Sequence, residues 1–561
     1  MLIVLFALWL ATPHMTAQQQ YVDGRREAVQ LPWHLAVPAI GNRLIVDLQV
    51  NRLTPGLWQI IPDDELKALR INGQEVPLSA VGGGLTDWNK GFQFDLSPWL
   101  KPGSNQLEFS LDNHGGTGGL MLRPHLSFWH WLIIGGSFIP WLWLLSRWLG
   151  LGRAQFLLLA LALIPLCIYW SATPWDVRTH DVVADGGHLD YIRYIAVEHA
   201  LPQPNAGWTF YHPPLYYLSG AAVYAAAMQL SLSVSQVLQA YSLFLWLTFL
   251  CAGAACLQLL LRGKSLALLA ATLALATWPS GIIHGIRIGN DLALYAMAGL
   301  ATWHLLRWWR TNHRANLLWM AGFTALAFLC KSNAIVLLAA VVLLFAARTE
   351  HRCLRLRPVR ASDGVWMLVI MLMGVALGLS TKLYYHWQGD LPNWLVGNAN
   401  QLNDRLRVPV TLQNLLLPDV KTFLTHPWLD AWDDGTGRGR YWNYLLRSSL
   451  SGEFKFAGIG AERIAYLWGG LLLALLVLPL RSLRGLTIGH CWRNLPLLIL
   501  AGVWLASLMA LRIKVPYSCS NDFRYVLPVL IPFLVWCARS RSSQALLLVM
   551  SCSSIWFFMS M

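Results

Sequence analysis

The sequence predicts a polytopic α-helical membrane protein of about twelve spans with an exported all-β domain at its N-terminal end. Three observations predict it. Of 561 residues, 56% are hydrophobic and only 12% are charged, with a mean hydropathy of +0.46; soluble chains are about one quarter charged. Apolar runs of spanning length recur from Phe128 to the C-terminal end. Before them, from about Gln18 to Ser127, the pattern changes to short alternating runs divided by turn residues.

The first element is the apolar run Leu2 to Ala11. It is too short for about 30 Å of hydrocarbon. With small residues near Thr16 and Ala17 it reads as a signal-peptide core (1–17), although a basic n-region is missing and an uncleaved short anchor stays open. Next come RLIVDLQV (43–50) and NQLEFSLDN (105–113), between the turn signals Asn72-Gly73, Lys101-Pro102-Gly103 and Gly115-Gly116. Period-2 runs at that spacing predict an all-β sandwich over 18–127.

Twelve apolar stretches then follow, near 128–146, 155–172, 237–261, 265–284, 291–309, 315–330, 333–348, 365–384, 463–480, 495–512, 526–538 and 544–560. A thirteenth, 214–230, decides the topology. If it crossed the membrane, Arg262 and Lys264, the Arg307/Arg310/Arg314 group and the cluster Arg348, Arg352, Arg355, Arg357 and Arg360 would lie outside, against the positive-inside bias. Laid along the outer surface, it leaves all of them cytoplasmic, together with Arg147/Arg153, Arg481/Arg484/Arg493 and Arg539/Arg541. The β domain and the loops 173–236, 385–462 and 513–525 then share the outer, periplasmic side of a plasma membrane.

The same bias accounts for the net charge of +14, so nucleic acid is not an expected partner. Nine scattered cysteines show no CxxC or Cys/His spacing, which supports neither a disulfide framework nor a zinc site. The 30 Trp residues suit an interfacial belt and stacking on sugar rings equally.

The polar interval Pro174 to Tyr217 stands out in so apolar a chain. It holds Asp176, Asp181, Asp185 and Asp190, a helix opening GGHLDYIRYIA, then LPQP, and finally His212-Pro213-Pro214-Leu215-Tyr216-Tyr217. This order resembles the first external loop of the C-type (GT-C) membrane glycosyltransferases, in particular the protein O-mannosyltransferase and lipid A aminoarabinose transferase group, whose loop carries an acidic pair and an HPPL or KPPL element. Ile288-Gly289-Asn290-Asp291-Leu292 and Phe523-Arg524-Tyr525-Val526-Leu527-Pro528 are similar to later elements of that group. LKALRINGQEV and FDLSPWLKPGSNQLEFSLDN resemble the galactose-binding-like jelly roll of glycosidase accessory domains, a resemblance that implies a fold rather than a ligand.

The first resemblance implies inverting transfer of a sugar from a polyprenyl-phosphate donor to a protein, lipid or glycan acceptor. Such transfer needs a carboxylate to take the acceptor proton and cations to hold the departing phosphate. Asp181 is the first candidate base, because it follows His180 and has no local structural task. Asp185 comes second: it stands before Gly186-Gly187 where it would N-cap a helix, but the family's spacing back from LPQP favours it. Asp190 reads as a solvated face. His188 reads as a structural hydrogen-bonding residue that could also serve the site; His212, whose backbone two prolines fix, is expected to orient phosphate or acceptor. Arg178, Arg287, Lys331 and Arg524 are cations at outer helix ends, with Arg524 and its neighbour Tyr525 in the family-like element. Loop 385–462 sets Trp387, Trp394, Trp428, Trp432 and Trp442 among Asp430, Asp433 and Asp434, a composition suited to a sugar groove or an interfacial cap. The Asp433-Asp434-Gly435 turn could hold a cation, but no complete loop spacing follows, so no cofactor is expected and a divalent cation stays open. A flippase of lipid-linked sugars and a membrane scaffold for the β domain are the competing readings; neither a paired-half repeat nor an economy of spans favours them.

Overall fold

The computed structural model describes the whole chain except residues 30, 32, 36–38, 89, 116–117, 183–184, 351–359, 391–396, 398–401 and 481–487. Trp394 and the arginines at 352, 355, 357, 481 and 484 lie outside the described residues. Two compact units result, one of Met1–Phe138 with Val223–Leu238 and one of Ile139–Ala222 with Gln239–Met561.

Among the described residues of the first unit, ten strands form two antiparallel sheets. They are β1 (His14–Gln20), β2 (Arg26–Val29), β3 (Trp33–Leu35), β4 (Ala39–Val50), β5 (Leu57–Pro62), β6 (Glu65–Ile71), β7 (Gln74–Glu75), β8 (Phe92–Asp95), β9 (Gly103–Asn113) and β10 (Gly118–Pro124). One sheet has the order β2-β1-β4-β9-β6-β7 and the other β3-β10-β5-β8. The alternation that marks the strands in sequence is the cause: Leu44, Val46 and Leu48 of β4 and Leu107, Phe109 and Leu111 of β9 share one apolar core with Trp58, Ile60, Leu120 and Leu122 of the smaller sheet. Asn72 and Gly73 both take positive φ, 53° and 80°, the geometry of a two-residue hairpin turn, and they join β6 to β7. The first strand begins at His14, ahead of the boundary at residue 18 that composition suggests. Beyond β10, Ser127 opens the helix Phe128–Gly136 in a capping box with His130; the other ring nitrogen of His130 bonds Leu53 O.

Among the described residues, seven helical stretches are long and apolar enough to cross a bilayer: 128–149, 153–172, 234–260, 361–387, 459–480, 492–514 and 541–559. The chain is a multi-pass membrane protein. The expected count of about twelve is not reached by continuous helices, and backbone chemistry gives the reason. Stretch 265–284 breaks at Trp278-Pro279 into Ser265–Thr277 and Pro279–His284, because proline cannot donate into the preceding turn. Stretches 315–330 and 333–348 become Arg314–Cys330 and Ile335–Glu350, separated by Lys331 and a 3₁₀ turn. Stretch 526–538 divides into a 3₁₀ segment, Phe523–Val529, containing Pro528, and the short helix Leu530–Cys537. Asp291–Thr311 runs for 21 residues but carries a carboxylate at its start and arginines near its end. The helix Leu215–Gln229 has 15 residues, about 22 Å at 1.5 Å per residue, short of a crossing.

The apolar core makes the first unit sensitive to large-to-small changes. Phe109 is fully buried on the central strand β9. Phe109→Ala is expected to cost about 3–5 kcal/mol, read as a lowered unfolding midpoint and faster proteolysis within residues 14–124.

Candidate functional site

The breaks between helices in the second unit bring polar groups together. Asp181 lies in the 173–187 loop, Asp291 and Lys331 stand at helix ends, and Asp522 and Arg524 open the 3₁₀ segment Phe523–Val529. The Asp522 carboxyl is fully buried: Oδ1 accepts the Arg524 backbone N–H at 3.0 Å, and Oδ2 lies 3.3 Å from Arg524 Nε. The same guanidinium reaches Asp181 Oδ2 at 3.6 Å. Arg524 also donates to Tyr525 Oη at 3.0 Å and lies over that ring, 4.9 Å from its centroid. Tyr295 Oη donates to the Arg524 carbonyl. Lys331 Nζ meets Asp291 Oδ1 at 2.6 Å and lies 5.2 Å from the Tyr525 centroid.

Local backbone fixes Asp181. It has φ +58°, and Arg178, three residues back, has φ +49°. Left-handed non-glycine residues persist only where their surroundings hold them. Here Asp181 O accepts the His188 N–H at 2.7 Å and Asp181 Oδ1 accepts Trp208 Nε1 at 2.6 Å. Gly186 has φ +66° and crosses Gly207 so closely that an added Cβ would meet Gly207 Cα at 2.2 Å. Trp208 N–H donates to Asp185 O, and Thr209 N–H to Gly186 O. Burial would raise the Asp181 pKa, but Arg524, His188 and the Trp208 N–H outweigh it and hold the carboxyl below its usual range.

The remaining candidates divide. Asp185 is exposed and does not cap the following helix: the N-cap is Gly187, which makes no side-chain cap bond. Asp190 takes that task from within the first turn, Oδ2 accepting the Gly186 N–H at 3.0 Å, so it is not merely a solvated face. A carboxylate there meets both a free amide and the positive helix end. His188 is buried, with Nδ1 2.8 Å from Tyr217 Oη, and burial lowers its pKa to about 4. His212 stacks 6.1 Å from His188; its Nδ1 is buried without a hydrogen-bond partner among the described residues, and burial holds it neutral. Arg178 lies over the Phe456 ring at 4.3 Å, beside a cavity of about 430 Å³ also lined by Trp556 and Phe557. In loop 385–462, Asp433 caps a 3₁₀ turn through the Gly435 N–H and Asp434 pairs with Arg438 at 2.7 Å. Those carboxylates thus have structural roles in the turn.

Sequence reasoning passed over Glu453, Asp522, Trp208 and His284. His180 Nε2 lies 3.5 Å from Asp522 Oδ2 and its Nδ1 3.6 Å from Glu453 Oε2. These three groups have ligand atoms within 4.8 Å of one another, a donor set compatible with a divalent cation; Glu65, Asp112 and His114 form a second such set on the β unit. A cavity of about 400 Å³, lined by His180, Glu453, Phe454, Trp432, Asp430 and Lys455, opens onto the first set. Burial and then the Asp522 charge raise the Glu453 carboxyl to about 7, and Tyr444 Oη donates to it. Arg287 bonds His284 Nδ1 at 2.8 Å and lies over Phe454, yet its buried Nε has no hydrogen-bond partner among the described residues. Asp522 was within reach of sequence reasoning, two residues before Arg524. Glu453, between two helices and outside any motif, was not.

No protein-family model matches the chain, and no curated protein matches it. Solved structures do resemble it. ArnT from Cupriavidus metallidurans in the apo state is 14% identical over 71% of this chain and 76% of its own, with a TM-score of 0.32. ArnT bound to undecaprenyl phosphate gives 13%, 73%, 78% and 0.31. The arabinosyltransferase EmbB from Mycobacterium smegmatis is 12% identical over all of this chain and 62% of its own, with a TM-score of 0.30. Superpositions this loose carry neither a residue nor an activity from one chain to another.

Two outcomes follow from the geometry. Gly186→Ala is expected to abolish the 181–188 to 207–209 contact, read as faster proteolysis within residues 181–209 while strands β1–β10 stay protease-resistant, because the added methyl meets backbone. Glu453 keeps its proton to about pH 7, whereas its ordinary value is 4.5. Between those values the folded chain binds the extra proton, so stability falls as pH rises through the window. Glu453→Gln preserves an acceptor for Tyr444 without ionising; its thermal midpoint should exceed the parent's at pH 8 and approach it at pH 5.

Proposed function

We propose that the chain is a membrane glycosyltransferase that moves a sugar from a polyprenyl-phosphate donor to an acceptor, with inversion, at the outer face of the membrane. The observation that carries this reading is the alternation of half-buried Asp181 with buried Arg524 and Asp522, beside the Lys331–Asp291 pair. It supplies a carboxylate in its charged form next to cations that an anionic leaving group can share.

In this reading Asp181 takes the proton of the acceptor hydroxyl as its oxygen attacks the anomeric carbon. The bond from that carbon to the phosphate oxygen breaks, and polyprenyl phosphate leaves. General-base help of this kind is worth about 10²- to 10⁴-fold. Asp181 is favoured over Asp185 because it is ionised, oriented by Trp208 and in reach of Arg524, while Asp185 is exposed. Arg524 stands 3.3 and 3.6 Å from its two carboxylates, longer than the 2.7–2.9 Å of a tight charge-assisted bond. It is therefore held in place without being saturated, as a phosphate site requires. Arg287, with a buried N–H unused among the described residues, joins Arg524 and Lys331 as a phosphate-facing cation. Neutral His212 is an orienting residue, and Tyr525 positions both Arg524 and Lys331 from its ring. Arg178, over Phe456, faces lipid headgroups or the donor's approach. The N-terminal β unit, galactose-binding-like in this reading, is an exported accessory domain.

Transfer of labelled sugar from a polyprenyl-phosphate donor tests the assignment. Asp181→Asn is expected to lose at least about 100-fold in kcat, and Asp185→Asn to stay within a few-fold of the parent. Full activity in both variants would remove the loop from the active site, and movement of labelled lipid across vesicles without its consumption would mark a flippase instead. Arg287→Gln should raise the donor KM about 10-fold, as expected for loss of a charge-assisted bond.

A further inference from the structure

The small residues Thr16 and Ala17, which in sequence suit release of a leader, are structural in the folded chain. Strand β1 pairs with β4 from His14↔Gln49 to Gln20↔Arg43, and with β2 on its other side, from Ala17↔Val29 to Gln20↔Arg26. It is thus interior to the six-stranded sheet. Ala17 is 6% exposed within the apolar core, and Trp33 Nε1 donates to Gln19. A cut after Ala17 would remove four of the seven β1–β4 residue pairs.

The preceding helix, Leu2–Ala11, is a packed element too. Val4, Leu5, Ala7, Leu8 and Ala11 form its buried face, and it packs against the helix Phe128–Gly136. Thr12 Oγ1 donates back to Leu8 O at 2.7 Å, and His14 Nε2 lies 2.8 Å from Trp9 O. Its other face, Leu2, Ile3, Phe6 and Trp9, is equally apolar yet exposed, 82% for Leu2 and 59% for Phe6. A helix apolar on every side belongs inside protein or in lipid. Lipid is the occupant that the surroundings favour. The helix it packs on opens the membrane-length stretch 128–149, where Phe128, Trp129 and Leu132 are exposed as well. Ten residues reach about 15 Å, half of the hydrocarbon thickness, which suits one leaflet and not a crossing.

We propose that Leu2–Ala11 stays in the mature protein and seats its exposed face among lipid acyl chains beside the first span. The β unit then has two membrane attachments, through its first strand β1 and its last strand β10, instead of hanging from one.

Two measurements on the full-length protein in native membrane vesicles test this. Peptide mapping is expected to recover a peptide that runs through the Ala17–Gln18 bond; a mature N-terminus between Thr12 and Gln20 would overturn the proposal. Peptide-resolved labelling of Phe6→Cys is expected with a lipid-partitioning maleimide and at least 10-fold slower with a water-soluble one. Val22→Cys, on a turn where Val22 is 80% exposed, should show the reverse, and Trp9→Cys provides a second position if Phe6→Cys folds poorly. Labelling of the Phe6→Cys variant by the water-soluble reagent at the Val22→Cys rate overturns the lipid contact, and so does protection from both reagents, which would mean that a protein surface covers this face.

Discussion

The second unit depends on one constraint: charge buried among apolar helices must be neutralised where it sits. An unpaired ion in such surroundings costs several kcal/mol, and removing one partner of a buried pair costs about 3–5 kcal/mol. Asp522, fully buried, is tolerable because Arg524 lies against it, and Arg524 in turn needs Asp181. Lys331 between two helices needs Asp291. The Arg524–Asp181 and Lys331–Asp291 pairs tie together separate segments: the first joins the 173–187 loop to the 3₁₀ segment from Phe523, and the second joins the start of Asp291–Thr311 to the break at Lys331. Closing the charges also closes the fold around them.

The helix breaks acquire their meaning from that constraint. An uninterrupted span hides its backbone polar groups in its own hydrogen bonds; a broken one offers helix ends and loop residues at the depth where they can meet. Pro279, Pro528 and the Lys331-Ser332-Asn333 turn interrupt apolar stretches that would otherwise cross smoothly. The polar groups assembled at these interruptions include His180, His284, Arg287, Glu453 and Asp522. Burial keeps the imidazoles of His180, His188 and His212 neutral, leaving the positive charge of the cluster on guanidinium and ammonium groups. Burial works against the Arg524 charge, but Tyr525, Asp181 and Asp522 outweigh it and raise the guanidinium pKa above its usual value.

The loop itself is shaped by close backbone approach. Glycines 186 and 207 cross at a distance that admits no side chain, Asp190 anchors Gly186 from inside its own helix, and Trp208 reaches back to Asp181. The aspartates that look alike in sequence thus acquire different tasks: Asp190 completes a helix end, Asp185 faces outward, and Asp181 faces the guanidinium.

Much of this molecule was legible in its sequence. Period-2 runs placed β4 and β9, the Asn72-Gly73 pair placed a turn, and apolar stretches placed the membrane helices, because each of these signals acts over a few residues or one helix length. The polar interval before Tyr217 and the Arg524-Tyr525 pair were visible for the same reason: charge is conspicuous where hydrocarbon dominates. Only the tertiary structure decided which carboxylate each cation meets, that Gly187 and not Asp185 caps the loop helix, that Ala17 lies within a strand, and that Glu453 and Asp522 converge on His180. The meetings of His180 with Glu453 and Asp522 and of Asp181 with Arg524 join residues hundreds of positions apart, and local pattern carries no record of the distance between two charges once the chain has folded.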